Sequence, residues 1–231
     1  MSEYKNIIGK GVRFLSSNLD NDQAEGQIWY NSSDGDFKNV IVNEAWSSSG
    51  PLTLGRTLIS QGSGTQTAAL VCGGENSSGV DVANTEEYNG SGWSTGGDLP
   101  SAKKSSGAFG LQTAGVNFGG ISPPTTGTLA TTEEYDGTSW TSGGTMGTAR
   151  QGSAGTGILT AGLACGGNTA FPGNTQVANT EEYDGSSWTN GGALNTARST
   201  LAAMGTQTAG LAAAGTTDGS AIPTSTSEEY D

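Results

Sequence analysis

The stretch TEEYDGTSW, at residues 132–140, decides the fold because nearly the same residues occur at two other places in the chain. They are TEEYNGSGW at 85–93 and TEEYDGSSW at 180–188. The tyrosines at this position, with a fourth at the C-terminus, are 47, 48 and 47 residues apart: Tyr88, Tyr135, Tyr183 and Tyr230. A period near 47 with several strand-like segments in each unit predicts a repeat architecture, and a β-propeller fits it best.

Two further residue types keep fixed positions relative to the tyrosines. A tryptophan recurs at the same phase and is always followed ten residues later by a basic residue. The tryptophans are Trp46, Trp93, Trp140 and Trp188, and the basic residues are Arg56, Lys103, Arg150 and Arg198. Tyrosine and tryptophan supply the large apolar areas by which one blade packs on the next. These twelve residues are therefore predicted to be structural.

Each unit divides into four strand-like segments, which the third unit shows most clearly: 152–157, 158–167, 178–184 and 187–192. Side chains alternate along a strand, so Glu181 and Tyr183 share one face and Glu182 takes the other. We expect one glutamate of each Glu-Glu pair to form a structural ion pair with the recurring basic residue. The alternative is a ring of carboxylates that lines a channel and binds a cation.

The composition excludes several classes of function. Glycine supplies 39 of the 231 residues, but aromatic residues at fixed offsets argue against disorder. The net charge of −13 disfavours nucleic acids and anionic membranes as partners. No segment has the length of a membrane span or the pattern of a secretory signal. With no histidine and two cysteines, Cys72 and Cys165, we expect buried thiols and no metal or cofactor.

Residues 41–231 resemble the kelch family. The resemblance lies in the order of an apolar strand, Gly-Gly, a variable loop, tyrosine, tryptophan and a basic residue, with the glycine pairs at 73–74, 119–120 and 166–167. It implies an all-β propeller. The chain departs from the family in the Ala214-Gly215 pair, in a shorter tyrosine-to-tryptophan gap, and in its four units.

The phase of the repeats predicts how the ring closes. The chain ends at Tyr230-Asp231, where a third strand ends, while VNEAW at 42–46 has the pattern of a fourth strand without its first three. We expect four blades of four antiparallel strands, closed by the N-terminal strand, which completes the last blade and removes its free edge. The alternative is donation of this strand to a neighbouring chain.

Binding is expected in the loops between the second and third strands, because they differ from blade to blade while the other turns are nearly uniform. These loops span 75–84, 121–132, 168–179 and 216–227. The candidate binding residues are Asp81, Pro123, Pro124, Phe171 and Asp218. The alternative is that the loops have no binding role. Catalysis is not expected, because histidine is lacking and adjacent carboxylates point to opposite strand faces.

Residues 1–40 lie outside the repeat. The segments 12–15, 27–31 and 37–42 are predicted strands, and SSDG at 32–35 is a turn between two of them. Residues 11–40 resemble N-terminal segments of tail-fibre and other virion proteins of marine phages, which combine such a hairpin with kelch-like repeats. The resemblance covers most of the chain.

The phage resemblance implies a function and a location. The N-terminal segment would dock to other virion proteins or form a homo-oligomer, and the propeller would bind a host-surface glycan or protein. The protein would then be made in the host cytoplasm and reside in the virion. The alternatives are a purely structural virion component, a cellular kelch adaptor, and an N-terminal hairpin that only caps the propeller.

Overall fold

The computed structural model describes residues 14–15, 28–33, 35–39, 47–122, 127–172, 175–217 and 222–231. Within these ranges the regular secondary structure is entirely β. The chain separates into two compact units, Met1–Ser48 and Ser49–Asp231. The first unit contains a three-stranded sheet of β1 (Phe14–Leu15), β2 (Ile28–Asn31) and β3 (Asp36–Asn39). Strands β2 and β3 form the predicted hairpin, and β1 lies parallel to β2.

The second unit is a four-bladed β-propeller, which confirms the predicted fold class. Its main strands form four antiparallel sheets, and two short strand pairs lie in the connections. Blade 1 comprises β5 (Ser63–Thr65), β6 (Ala68–Cys72), β8 (Thr85–Tyr88) and β9 (Trp93–Thr95), with β4 (Arg56–Thr57) paired to β7 (Glu75–Asn76) beside it. Blade 2 comprises β10 (Gly107–Leu111), β11 (Ala114–Phe118), β12 (Thr132–Tyr135) and β13 (Trp140–Ser142).

The last two blades continue the same order. Blade 3 comprises β14 (Ala154–Ile158), β15 (Ala161–Cys165), β16 (Thr180–Tyr183) and β17 (Trp188–Asn190). Blade 4 comprises β18 (Ala202–Thr206), β19 (Ala209–Ala213) and β22 (Ser227–Tyr230), with β20 (Thr216–Thr217) paired to β21 (Ile222–Pro223) in its loop. Blade 4 thus has three strands in the described part of the chain. The predicted closing strand, with Trp46, lies outside the described residues.

Backbone hydrogen bonds link the segments that precede the innermost strands of the four blades. The Ser105 amide donates to the Leu58 carbonyl, the Gly152 amide to Ser105, and the Thr200 amide to Gly152, at 2.7–2.8 Å. All four residues have positive φ, between 50° and 59°. Gln61 crosses the axis: its Oε1 accepts from the Gly155 amide at 2.7 Å, and its Nε2 donates to the Ala203 carbonyl at 3.5 Å.

The glycine pairs are required by backbone conformation where the second strand of a blade ends. Gly119 has a φ of 65°, and a Cβ there would lie 2.4 Å from the Arg150 carbonyl oxygen of the next linker. Ala214, which departs from the kelch pattern, adopts the same left-handed conformation with a φ of 58°. Blade 4 therefore keeps this geometry without glycine. The alanine side chain adds the conformational energy that L residues have in the left-handed region.

One predicted strand boundary is wrong. The first two segments predicted for blade 3 divide after Gly157, whereas the structure pairs Ile158 with Ala161 and turns at Leu159-Thr160. Gly157 has a φ of 101°, and a Cβ there would lie 2.3 Å from the Ala161 carbonyl oxygen. The glycine is needed for close approach of the two paired strands, not for the turn itself.

Among the described residues, the core lies between blades and includes three clusters of buried residues. The cluster between blades 1 and 2 contains Leu70, Cys72, Leu99, Tyr135 and Trp140. The next, between blades 2 and 3, contains Phe109, Val116, Phe118, Met146, Ala164 and Tyr183. The third, between blades 3 and 4, holds smaller side chains: Ala154, Cys165, Leu201 and Ala212. Each blade buries its apolar face only against a neighbour, as repeat folds require.

Each recurring basic residue forms an ion pair with the first glutamate of the following third strand. Arg56 lies 3.0 Å from Glu86, Lys103 lies 2.5 Å from Glu133, Arg150 lies 3.1 Å from Glu181, and Arg198 contacts Glu228. The basic side chains are fully buried. Because these glutamates are paired in the interior and Gln61 crosses the axis, the geometry favours the structural role over a channel that binds a cation.

The second glutamate of the pairs in blades 1, 2 and 3 accepts a hydrogen bond from a tyrosine of the next blade. The hydroxyl of Tyr135 donates to Glu87 at 2.6 Å, and Tyr183 and Tyr230 donate to Glu134 and Glu182. Tyr88 differs, because its hydroxyl contacts Ser49. Burial, and then the hydrogen bond to glutamate, raises the pKa of Tyr135 and of Tyr183 to about 12.

These tyrosines predict a loss of stability in alkaline solution. An unfolded tyrosine has a pKa of about 10, so the neutral hydroxyl is favoured in the folded state. The stabilisation is present in full below pH 10 and is lost as the pH rises towards 12. We expect the urea midpoint of the Tyr135→Phe/Tyr183→Phe variant to fall less between pH 8 and pH 11 than that of the natural protein. Tyr88→Phe is the control, and an equal fall in all three proteins would contradict the argument.

Both cysteines are free thiols in the core. Burial raises the pKa of Cys72 and of Cys165 to about 11, so each thiol stays protonated near neutral pH. Cys72 is further held by contacts with Ser60 and Asn117. A buried, protonated thiol is a poor nucleophile, so both cysteines act as small core residues.

Candidate functional site

The candidate site is a groove on the propeller face that carries the loops between second and third strands. It has a volume of about 370 Å³ and is lined by Gly79, Val80, Asp81, Lys104, Ile121, Ser122 and Phe171. These residues come from the variable loops of blades 1, 2 and 3 and from the linker between blades 1 and 2. We call this set the loop-face groove. The groove is lined by residues from three loops that are distant from one another in sequence.

Lys104 supplies the cationic centre of the groove wall. Its Nζ lies 2.9 Å from Asp81 Oδ1 and also contacts the Glu75 carboxylate. Hydrogen bonds to Glu75 and then to Asp81 raise the pKa of Lys104. The Lys104 backbone is fixed by two bonds with Ile121, each 3.0 Å long. One lysine between two carboxylates gives the wall a net negative charge.

Two exposed apolar side chains stand at the groove. Phe171 is 41% exposed and Val80 is 56% exposed. Asn168 holds the loop of Phe171, because its Oδ1 accepts the amides of Ala170 at 2.8 Å and Thr175 at 3.1 Å. An aromatic surface beside a few fixed polar groups is typical of ligand-binding sites.

Asn76 holds the other loop in a similar way. Its Oδ1 accepts the amides of Ser78 at 2.9 Å and Val80 at 3.1 Å. Gly79, between them, has a φ of 74°, which suits a tight turn. The exposed side chain of Val80 and the charged side chain of Asp81 are therefore presented by a short turn that its own hydrogen bonds define.

The structure brings two of the five predicted binding residues together. Asp81 and Phe171 both line the groove. Pro123, Pro124 and Asp218 lie outside the described residues. Lys104 was missed by the sequence reasoning, although a signal exists: the equivalent positions in the other blades are Thr57, Gln151 and Ser199. Of the four linkers, the one between blades 1 and 2 is therefore the one in which a second cation directly follows the recurring basic residue.

A second depression of about 340 Å³ lies at the axis. Its lining includes Leu58, Gln61, Ser105, Gly152 and Thr200, which form or adjoin the series of three backbone hydrogen bonds described above. Leu58 is 53% exposed. Of the polar side chains there, Gln61 is already bonded to the backbone of two other blades. The described lining of this depression contains no charged side chain, whereas the loop-face groove has Asp81 and Lys104.

Comparisons with protein-family models gave no match, and a search of the curated proteins found no similar protein. Among the residues the structure describes, no group of three or more histidine, cysteine, aspartate or glutamate side chains is arranged to hold a metal ion. The same residues include no helix long and apolar enough to cross a membrane. The class that the fold and the site define is a four-bladed β-propeller with a groove on its loop face.

Proposed function

We propose that this protein is a non-enzymatic phage virion appendage whose kelch-like propeller binds a host-surface glycan through the loop-face groove. The observation that carries the binding step is the convergence of Asp81, Lys104 and Phe171 at one groove. Loops of one face that differ in sequence while the scaffold repeats are the places where a propeller acquires specificity.

The groove suits a neutral sugar better than a polyanion. Phe171 offers an apolar face against which a sugar ring packs, and the carboxylates of Asp81 and Glu75 accept hydrogen bonds from hydroxyl groups. The net charge of −13 repels nucleic acids and other polyanions. Lys104 is already paired with both carboxylates, so it orients them and leaves little positive charge for an acidic ligand.

The attachment step of the proposal concerns residues 1–40. Their resemblance to N-terminal segments of phage virion proteins supports docking to other virion proteins and assembly into a homo-oligomer. The β2–β3 hairpin belongs to a compact unit of its own, which suits a separate docking module. An image of the intact particle with residues 1–40 against other virion subunits would support this step.

Binding to host cells or to an array of neutral glycans tests the groove. We expect Phe171→Ala to weaken binding about tenfold or more, because a buried aromatic contact contributes at least 1–2 kcal/mol at a hot spot. Asp81→Ala should weaken it as well. Leu111→Ala is the matched control, since Leu111 is 48% exposed at the end of β10, next to the turn to β11 at the opposite end of the blade.

Two outcomes would contradict the proposal. Undiminished binding by both groove variants would place the ligand elsewhere. Absence of host binding by the natural protein, together with association with other virion proteins, would favour a purely structural component. The folded state of each variant is checked by its urea midpoint. The midpoint should change little for Phe171→Ala, whose side chain is exposed, whereas Asp81→Ala should cost about 1 kcal/mol or less through loss of the pair with Lys104.

A further inference from the structure

The turn between the third and fourth strands has the same geometry in blades 1, 2 and 3, but its first residue differs. That residue is Asn89 in blade 1, Asp136 in blade 2 and Asp184 in blade 3. In each blade its Oδ1 accepts the backbone amides two and three residues further on, at 2.8–3.0 Å. The glycine that follows has a φ of 91–93°. Blade 1 therefore has an Asn-Gly sequence in a turn that holds an aspartate elsewhere.

The turn favours a carboxylate at its first position. Hydrogen bonds from the two backbone amides lower the pKa of Asp136. The amide of Ser187, and then the hydroxyl of Ser186, lower the pKa of Asp184 to about 2. A lowered pKa means that the folded turn stabilises the charged form. An aspartate in place of Asn89 would accept the same two amides, and its charge would strengthen both bonds.

An Asn-Gly sequence can lose its side-chain amide by attack from the following backbone nitrogen. The Gly90 nitrogen adds to Asn89 Cγ and gives its proton to water, and the side-chain nitrogen takes up a proton and leaves as ammonia. In the cyclic imide that forms, the ring nitrogen is bonded to two carbonyl carbons. Water opens the bond to Cγ to give aspartate, or the bond to the main-chain carbonyl carbon to give isoaspartate. One water is consumed, one ammonia is released, and the residue gains about 1 Da.

The geometry at Asn89 suits this reaction. Asn89 and Gly90 are both exposed, and among the described residues no group accepts a hydrogen bond from the Gly90 amide. The carbonyl under attack is polarised, because Oδ1 accepts the amides of Ser91 and Gly92 at 3.0 Å and the Ser91 hydroxyl at 2.8 Å. The same donors stabilise the negative charge that develops on Oδ1 as nitrogen adds to Cγ.

The other Asn-Gly sequence of the chain is held differently. Asn190 is the last residue of β17 and pairs with Glu181. The amide of the following Gly191 donates to the Thr180 carbonyl at 2.9 Å, so its nitrogen is committed to the sheet. Asn190 is exposed, as Asn89 is. The state of the glycine amide therefore distinguishes the two sequences, and exposure does not.

We propose that Asn89 is a deamidation site, at which the folded protein converts asparagine into the aspartate that blades 2 and 3 have in the same turn. The turn also selects the product. Isoaspartate adds one carbon to the backbone and does not fit the hydrogen-bond pattern of the turn, whereas aspartate keeps it. The reaction adds one negative charge to the net charge of −13. The charge lies on the face opposite the loop-face groove, because this turn joins third and fourth strands.

Mass spectrometry of tryptic peptides, after incubation of the protein in mildly alkaline buffer, tests the proposal. Peptide 57–103 contains Asn89 and peptide 151–198 contains Asn190, and fragmentation assigns the modified residue. We expect Asn89 to react at least about tenfold faster than Asn190, because the hydrogen bond of the Gly191 amide must open first. In the denatured protein the two rates should be similar. Absence of reaction at Asn89 in the folded protein, or equal rates there, would overturn the proposal.

Two substitutions separate the contribution of the turn from that of the dipeptide. Asp136→Asn places an Asn-Gly sequence in the equivalent turn of blade 2, so peptide 105–150 should gain about 1 Da at a rate comparable to that of Asn89. Asn89→Asp has the product from the start. Its peptide 57–103 should show no gain at this position, and its urea midpoint should equal or exceed that of the natural protein. A stable Asp136→Asn turn, or a lower midpoint for Asn89→Asp, would contradict the role given to the turn.

The ratio of the two products is the last measurement. Aspartate should form a larger share of the product at Asn89 in the folded protein than in the denatured protein, because only aspartate keeps the bonds from Ser91 and Gly92. Chromatographic separation of the two forms of peptide 57–103 gives this share. Equal shares in the folded and denatured protein would show that the turn does not select the product.

Discussion

Replacement of Arg150 by methionine should lower the free energy of unfolding by about 3–5 kcal/mol, the usual result of removing one partner of a buried ion pair. Arg150 is fully buried, and its Nη2 lies 3.1 Å from Glu181 Oε1, at an angle that makes the contact ionic without forming a hydrogen bond. Its Nη1 also donates to the Asn179 carbonyl at 2.8 Å. The substitution leaves a buried carboxylate and a buried carbonyl without this partner.

The charge of Arg150 is already costly in the fold. Burial lowers the pKa of Arg150, and the nearby Glu181 carboxylate opposes that shift. Glu181 in turn accepts the amides of Gly147 at 2.6 Å and Thr148 at 3.2 Å, so it ties the linker after blade 2 to the third strand of blade 3. Removing the arginine therefore weakens the joint between two blades as well as the pair itself.

Two controls separate the charge from the packing. The double variant Arg150→Met/Glu181→Leu should recover part of the loss, because replacing both partners by apolar groups avoids the unpaired charge. Lys104→Met should cost less than about 1 kcal/mol, since this ion pair is partly exposed. Urea unfolding measures all of them. A loss for Arg150→Met as small as that for Lys104→Met would show that the buried pair contributes little.

The repeat made most of the scaffold predictable from the sequence. Most residues that return at a fixed offset have equivalent partners from blade to blade, so the phase of Tyr135 and Trp140 was enough to predict blades and their joints. The boundary between the first two strands of blade 3 was misplaced because glycine is typical of turns, whereas Gly157 lies within a paired strand and serves close strand packing. A local sequence signal does not distinguish these two uses of positive φ.

The groove was predictable only in part, because loop positions have no periodic partner. Divergence among the loops was enough to select Asp81 and Phe171, but the proximity of these loops depends on how three blades are arranged around the axis. Lys104 was overlooked because it directly follows Lys103. Lys103 is the recurring basic residue, and its place in the repeat was taken to account for both lysines. Lys104 pairs with Asp81 and Glu75, and only the folded arrangement of the chain brings these three residues close together.

Replacement of Trp140 by alanine is the second substitution with a large expected effect. Trp140 is 8% exposed and belongs to the cluster with Leu70, Cys72, Leu99 and Tyr135. Its ring lies 4.8 Å from that of Tyr135, and its indole donates to Thr85 across the joint. Truncating a buried tryptophan costs about 3–5 kcal/mol, because apolar contacts are lost and a cavity remains.

Trp93 is the matched control for Trp140. It has the same place in blade 1 and lies 5.1 Å from Tyr88, but it is only partly buried. Trp93→Ala should therefore lower the free energy of unfolding by less than Trp140→Ala does. Equal losses in urea unfolding would contradict this order and would mean that the two joints are packed alike. A smaller loss at Trp93 would show that burial against the preceding blade, rather than the tyrosine-tryptophan contact within a blade, sets the contribution of each repeat.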